Sequence, residues 1–273
     1  MSLYKYLTPD RLDVLKHLLI RFTQPTALND PFEFRPLVEG FSSPKNTART
    51  LEEELDRQLP ETLKQFPRPY AEVAEIMLKD RRAAMLEDAR KAVEKTHPQV
   101  IEEIFNFIGS KLGILSLSET AKSASMWDRY AAASVGFVLE FDDKHPWFCA
   151  QLSPTDDFRH LRKVSYVDRA SPRYMTELSG HDVFYSKLKE WEHEREWRIV
   201  RPLEEAQRRL GAEICLFEVP ASAILGVIKG PKASAAFGVG LKAVLASDAR
   251  LSHVRVYDAR ISQTKNAIEI IGD

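Results

Sequence analysis

The stretch 184–200 reads FYSKLKEWEHEREWRIV, and its second half indicates both the fold class and a candidate site. In a β-strand, successive side chains point to opposite faces of the sheet. The acidic residues Glu192, Glu194 and Glu196 then lie on one face, and Trp197 points to the other. We therefore predict a strand that carries three carboxylates along one ridge.

Carboxylates held this close together raise each other's pKa unless a cation compensates for their charge. Arg198 lies on the same predicted face and is the nearest cation in the sequence. Such a ridge is either part of a ligand site or a solvated edge that prevents pairing with another sheet. The residue types alone leave both interpretations open.

Composition limits the classes of partner. The chain has 273 residues and a formal net charge of −1, which provides no overall field to attract nucleic acid or an anionic membrane. Its first residues lack the features of a signal peptide, and no apolar run reaches transmembrane length. The two cysteines form no CxxC pair, which suits a reducing compartment. We expect a cytoplasmic protein without membrane contact, for which nucleic acid is not the default partner.

Residues 42–110 differ from the rest of the chain because charged residues dominate and apolar residues recur at helical spacing. We predict that this segment is a helical insertion or cap within a single domain of residues 1–273. Its prolines predict about three helices, since proline interrupts helices. Cover for the sheet and partner binding are both possible roles.

The remaining chain alternates β-branched and aromatic runs with turns, which is typical of strands. It predicts an α+β fold with a mixed or antiparallel sheet core. A mostly helical segment is expected at 172–189, and a helix at 233–246. Strands are expected near 113–118, 137–141, 163–167, 214–219, 224–229, 254–258 and 267–271.

Several polar and aromatic residues are candidates for a site. Ser116 and Ser118 share one face of a predicted strand, and Trp127 and Tyr130 lie three residues apart on one side of a predicted short helix. Such aromatic residues either fill the core or form a platform for a planar ring. In the loop LNDPFEF at 28–34, Phe32 and Phe34 are expected to anchor the turn.

Two further function classes are open. Glu140 and Asp142, together with the glutamate strand, would supply the oxygen ligands that magnesium prefers in a phosphodiesterase site. Alternatively, the glutamates pair with neighbouring arginines in a binding or scaffold domain without catalytic activity.

The order of several segments resembles the bacterial domain-of-unknown-function family 2971. The segments are LYKY, LNDPFEF, LSLSE, MWDRYAAASVGFVLEFD, KEWEHEREWRIV and ILGVIKG, which together cover nearly the whole chain outside 42–110. The family often has a histidine directly before the glycine of its aromatic motif, whereas Ser134 and Val135 precede Gly136 here.

The layout of this family is in turn similar to that of ADP-ribosyltransferases, which bind nicotinamide adenine dinucleotide (NAD). The resemblance implies that Lys5 and Tyr6 face the pyrophosphate or ribose and that Ser116 or Ser118 supports the nicotinamide riboside. It further implies that Trp127 or Tyr130 stacks on the nicotinamide. Glu194 and Glu196 would form the catalytic E-x-E pair, with NAD as the small-molecule partner and water or a macromolecule as acceptor.

Overall fold

The computed structural model describes residues 1–30, 32–168, 171–211 and 214–272. The chain divides into two compact units. The first comprises Met1–Phe34, Ile108–Ala170 and Gly180–Asp273, and the second comprises Arg35–Phe107 and Ser171–Ser179. Helices occur together with a sheet of mixed strand direction, so the predicted α+β class is confirmed.

Six α-helices lie within the described ranges: α1 (Asp13–His17), α2 (Pro44–Leu63), α3 (Arg68–Lys111), α4 (Ala124–Tyr130), α5 (Gly180–Phe184) and α6 (Ala235–Ser247). The strands are β1 (Ser2–Leu7), β2 (Leu19–Phe22), β3 (Val38–Gly40), β4 (Leu112–Ser118), β5 (Phe137–Asp142), β6 (Arg162–Lys163), β7 (Ser165–Val167), β8 (Arg173–Tyr174), β9 (Ser186–Leu188), β10 (Glu196–Pro202), β11 (Arg208–Leu210), β12 (Ile214–Glu218), β13 (Ile224–Lys229), β14 (Arg255–Ser262) and β15 (Ala267–Gly272). None of these helices is both long and apolar enough to cross a bilayer.

The first unit is built on an eight-stranded sheet in the order β15-β14-β13-β5-β1-β4-β10-β6. All neighbouring pairs in it are antiparallel except β13 and β14. Smaller ladders pair β11, β12 and β2, and separately β7 with β9. In the second unit, β3 pairs with β8, and α2 and most of α3 supply the helical content.

Apolar side chains cover both faces of the main sheet. Leu139 of β5 belongs to a core that includes residues of α1, α6, β2 and β12. Its neighbour Val138 points to the opposite face and packs in a second core with Met126 and Trp127 of α4. A strand buried on both sides has a nearly continuous run of apolar residues, as FVLEF does in β5.

The sheet parts between β1 and β4. Strand β1 pairs with β5 over its full length, but it pairs with β4 only at Tyr4 opposite Ser118. Beyond that point, Ile114 of β4 pairs instead with Thr23, which follows β2. The two strands therefore diverge, and the gap between them lies beside the end of β10 that carries Glu196.

The predicted strand for the glutamate-rich stretch begins later than expected. Lys189–Glu194 form a 3₁₀-helix, and β10 starts at Glu196. Arg195 between them adopts a left-handed conformation with φ of 47°. The prediction that Glu194 lies on the strand is thus wrong, because alternating charges fix neither the backbone conformation nor the residue at which a strand begins.

Two helix predictions also need correction. Pro60 lies inside α2 and Pro98 inside α3, so two helices replace the expected three. A proline removes one backbone hydrogen bond and clashes with the preceding turn, but this cost does not always end a helix. The segment 172–189 was expected to be mostly helical. It contains, in order, the strand β8, a 3₁₀ turn, the short helix α5 and the strand β9.

Candidate functional site

A cavity of about 280 Å³ opens where β1 and β4 part. Seven of the residues singled out in the sequence line it: Lys5, Tyr6, Ser116, Ser118, Tyr130, Glu194 and Glu196. They come from β1, β4, α4, the 3₁₀-helix before β10, and β10 itself. The fold therefore brings together side chains that are up to 191 positions apart in the sequence.

Trp127 is the one predicted site residue that does not line this cavity. It is fully buried, and its indole N–H donates to the Ala121 carbonyl oxygen at 2.7 Å. Its ring packs edge-on against Tyr6, with the ring centroids 5.3 Å apart. Trp127 fills the core under α4, and Tyr130, one turn further along the same helix, is the aromatic residue that reaches the cavity.

Strand β1 contributes a cation to one wall of the cavity. The ammonium group of Lys5 reaches across the gap and donates to the Ser116 carbonyl oxygen at 2.9 Å. Burial lowers the pKa of Lys5 to about 8, although the Glu196 carboxylate opposes this shift. The next residue, Tyr6, donates its hydroxyl to the Thr120 carbonyl oxygen, and burial raises its pKa.

The two serines of β4 have different partners. The Ser118 hydroxyl donates to the Glu194 carbonyl oxygen at 2.7 Å and accepts from the Thr120 amide at 3.2 Å. It thereby ties the turn before β10 to β4. Ser116 instead contacts the Glu196 carboxylate and stabilises its ionised form. Ser116 is thus the serine that adjoins the strand carboxylate, while Ser118 fixes the backbone.

The E-x-E carboxylates converge although only one of them lies on a strand. Glu194 accepts from the Tyr130 hydroxyl at 2.7 Å and from the Lys187 ammonium at 2.6 Å. Glu196 accepts from the Arg198 guanidinium through both oxygens, at 2.7 and 2.9 Å. The left-handed turn at Arg195 makes this convergence possible, because it reorients the chain between the two glutamates.

Two residues at the centre of this network were not recognised in the sequence. The Lys187 ammonium lies 3.3 Å from a Glu33 oxygen, 2.6 Å from Glu194 and 3.2 Å from Glu196. Glu33 also pairs with Arg198. Lys187 stands between three carboxylates, in the position that a bound cation would occupy.

Burial raises the pKa values of the Glu33 and Glu196 carboxylates, and pairing with cations lowers them. Burial favours the neutral form of Glu196, but Arg198 and Lys187 outweigh it and hold the pKa of Glu196 at about 2. Burial raises the pKa of Glu33 despite the same two cations. Burial and the Glu194 carboxylate raise the pKa of the Tyr130 phenol to about 12. Glu196 is therefore ionised at neutral pH, and Tyr130 remains a hydrogen-bond donor.

The loop LNDPFEF carries Glu33 into the network, but only one of its two phenylalanines anchors it. Of the two predicted anchors, Phe34 is buried, whereas Phe32 is 68% exposed. Phe34 has a φ of 60°, which is an unfavourable conformation for a bulky residue. Phe34 and Arg195, both left-handed, are each adjacent to a carboxylate of the network. An acidic residue flanked by phenylalanines was the only sequence signal for Glu33.

The alternative magnesium site does not assemble with the glutamate strand. Glu140 and Asp142 lie on β5, and both β1 and β4 stand between β5 and β10. In the described part of the chain, no group of three or more acidic, histidine or cysteine side chains is arranged to hold a metal ion. Asp142 instead accepts from the Lys144 amide in the turn after β5.

The chain was compared with protein-family models, curated proteins and solved structures. No family model, curated protein or solved structure matches the chain.

Proposed function

We propose that the first unit binds nicotinamide adenine dinucleotide at this cavity and transfers its ADP-ribose group to water or to a macromolecule. The observation that carries this proposal is the convergence of Lys5, Ser116 and Glu196, from three strands, on the gap between β1 and β4. A cation, a hydroxyl and an ionised carboxylate meet there, which suits a phosphorylated ribose.

The cavity volume of about 280 Å³ is near the lower limit for small-molecule sites. In the proposed complex, the cavity holds the nicotinamide riboside half of the dinucleotide, and the other half lies outside the cavity. The Lys5 ammonium is available to the pyrophosphate as a charge-assisted donor. Tyr130 is the ring that would contact the nicotinamide, because Trp127 is enclosed in the core.

In the proposed reaction, the bond between the ribose C1 and the nicotinamide nitrogen breaks, and the electron pair leaves with nicotinamide. Positive charge then develops on the ribose. An ionised Glu196 that accepts a hydrogen bond from a ribose hydroxyl stabilises this charge. Its Oε2 already accepts from both Arg198 and Lys187, whereas its Oε1 accepts from the Arg198 Nε, so Oε1 is the oxygen proposed to accept from the ribose hydroxyl.

Glu194 is the proposed base that removes a proton from the accepting water or nucleophile. Its Oε1 accepts from Tyr130 and its Oε2 from Lys187, so its orientation is fixed. The proton passes to the carboxylate, and the acceptor oxygen or nitrogen forms the new bond to the ribose C1. Glu194 and Glu196 therefore have separate tasks, in agreement with the partners that they do not share, Tyr130 for Glu194 and Arg198 for Glu196.

A second candidate is a binding domain without catalytic activity, and the pairing of the network favours it. Glu33, Glu194 and Glu196 are each paired with Lys187 or Arg198. Networks of this kind also serve structure alone, because buried charges must be paired. Ligand binding at the cavity separates the two candidates.

The test is calorimetric titration with NAD of the wild type, Ser116→Phe and Ser252→Phe. Ser116 lines the cavity, whereas Ser252 is exposed elsewhere on the first unit. We expect binding by the wild type and by Ser252→Phe, and a loss of at least tenfold in affinity for Ser116→Phe. Thermal unfolding without ligand controls for loss of fold. Absence of binding by a folded wild-type protein would favour the non-catalytic candidate.

A further inference from the structure

A second cavity lies on the same face of the main sheet, beside the first. Its volume is about 420 Å³, and Tyr4 of β1 lines both cavities. Glu140 of β5, Tyr257 of β14, and Ile228 and Ile270 of the neighbouring strands complete its sheet side. The function proposed above does not use these residues.

The registers of the sheet fix where this cavity lies. Glu196 pairs with Ser118, Ser118 with Tyr4, and Tyr4 with Glu140. These four residues form one row across β10, β4, β1 and β5. Neighbouring strands are about 4.8 Å apart, so Glu140 lies roughly 14 Å from Glu196 along the row.

The ring of Tyr257 lies over two glycines. A Cβ atom added at Gly226 would come within 2.9 Å of the ring, and one added at Gly272 within 3.4 Å. Any larger residue at Gly226 would displace the ring. The absence of side chains at these positions lets the Tyr257 ring lean across the sheet and border the cavity.

Glu140 is the charged group on the sheet side of this cavity, and Glu119 and Lys122, from the segment after β4, line it as well. In the part of the chain that the structure describes, no lysine, arginine or histidine nitrogen lies within 4 Å of its carboxylate oxygens. Burial, and next the Glu140 carboxylate, raise the pKa of the Tyr4 phenol, which shows that the two groups are close. The Glu140 carboxylate accepts a hydrogen bond from the Tyr4 phenol and has further acceptor sites that a cationic ligand can use.

We propose that this second cavity binds the guanidinium group of an arginine side chain from a peptide or protein partner. A guanidinium is planar, stacks on aromatic rings and donates two parallel hydrogen bonds to a carboxylate. Tyr4 and Tyr257 supply the rings, and Glu140 supplies the carboxylate. A compact ammonium group would use the charge but not the flat surfaces.

The distance to Glu196 defines the role of such an arginine. At roughly 14 Å from the E-x-E pair, the guanidinium is an anchor and not the group that attacks the ribose. An extended peptide covers that distance in about four residues. A partner anchored in this way would be the macromolecule that accepts ADP-ribose, and this step rests on the proposed function. Arginine binding itself does not require the dinucleotide.

The test is an NMR titration, without dinucleotide, using N-acetyl-arginine amide and its lysine counterpart as probes. The wild type is compared with Glu140→Gln and Tyr257→Leu, and with Glu218→Gln, an exposed glutamate outside this cavity, as the control. We expect the arginine probe to bind the wild type and Glu218→Gln, and at least tenfold weaker binding to Glu140→Gln. Tyr257→Leu should weaken it several-fold.

Equal affinity for the arginine and lysine probes would overturn the guanidinium assignment. Failure of the arginine probe to bind, or equal binding by wild type and both cavity variants, would overturn the site. These outcomes are independent of NAD binding, which is measured separately by the Ser116→Phe titration. Arginine binding without NAD binding would retain this site and remove the proposed transferase role.

Discussion

Lys187 is a single positive charge that three buried carboxylates share. Its side chain is only 5% exposed, and burial alone would lower its pKa, but Glu196, Glu33 and Glu194 together raise it. A buried ion pair contributes little net stability against an apolar replacement of both partners, whereas removal of one partner is costly. Lys187 is therefore the residue on which the charge balance of the cavity depends.

The first prediction concerns this charge balance. Lys187→Met should lower the free energy of unfolding by about 3–5 kcal/mol, because it leaves buried carboxylates without their shared cation. Lys189→Met is the matched control, since Lys189 is exposed and its pairing with Asp168 is worth less than about 1 kcal/mol. Urea denaturation of both variants measures the difference, and equal losses would contradict a central role for Lys187.

The second prediction concerns the charge of Lys5. Its pKa of about 8 means that the folded protein loses this cation as the pH rises through 8, well below the usual range for lysine. If Lys5 binds the pyrophosphate, NAD affinity should fall several-fold between pH 7 and pH 9. Lys5→Arg keeps its charge over this range and should show no such fall. Calorimetric titrations at several pH values test this, and parallel pH profiles would argue against Lys5 as the phosphate contact.

At the scale of elements, the junction between the 3₁₀-helix and β10 is decisive for the site. Arg195 occupies a left-handed conformation that costs roughly 1–2 kcal/mol for a residue with a Cβ atom. The Ser118 hydroxyl donates to the Glu194 carbonyl oxygen, and the Glu119 amide donates to the Arg195 carbonyl oxygen. Hydrogen bonds to the end of β4 and to the residue after it, distant in the sequence, therefore keep Glu194 and Glu196 directed into one cavity.

The third prediction follows from this junction. Arg195→Gly should leave stability unchanged or raise it by up to about 1 kcal/mol, because glycine adopts positive φ without a steric penalty. Arg195→Val at the same exposed position should lower stability by about 1–2 kcal/mol or more, since a β-branched residue is poorly suited to that conformation. Thermal unfolding distinguishes the variants, and a valine variant as stable as the glycine variant would contradict the assigned conformation.

Elements with strong periodicity were predictable from the sequence, and those defined by tertiary contacts were not. The run at 224–229 is a strand as expected, because a largely buried strand needs continuous apolar residues. The run at 267–271 is also a strand as expected, although it lies at the edge of the sheet and only Ile268 in it is buried. The segment 172–189 was not predictable, since its short strands pair with distant partners. The end of the 3₁₀-helix at Glu194 depends on Ser118, 76 residues earlier in the chain.

For the whole molecule, the same distinction applies to the candidate site. Arg198 was recognised as the cation beside Glu196 because the two share a strand face, and the structure confirms their pairing. Lys187 and Glu33 were missed because only the folded chain brings them to Glu196. The sequence makes Trp127 and Tyr130 equally good candidates for the ring that contacts the nicotinamide. Only the packing of α4 on the sheet decides which of the two rings is buried in the core.

The most direct measurement is the release of free nicotinamide from NAD, with and without cell extract, by the wild type, Glu196→Gln and Glu192→Gln. Glu192 is exposed in the same segment and serves as the matched control. If Glu196 stabilises the ribose cation, Glu196→Gln should lower the rate at least 100-fold, and Glu192→Gln should leave it unchanged. Dependence of the rate on extract would indicate a macromolecular acceptor. No release by a folded wild-type protein, or release unaffected by Glu196→Gln, would contradict the proposed function.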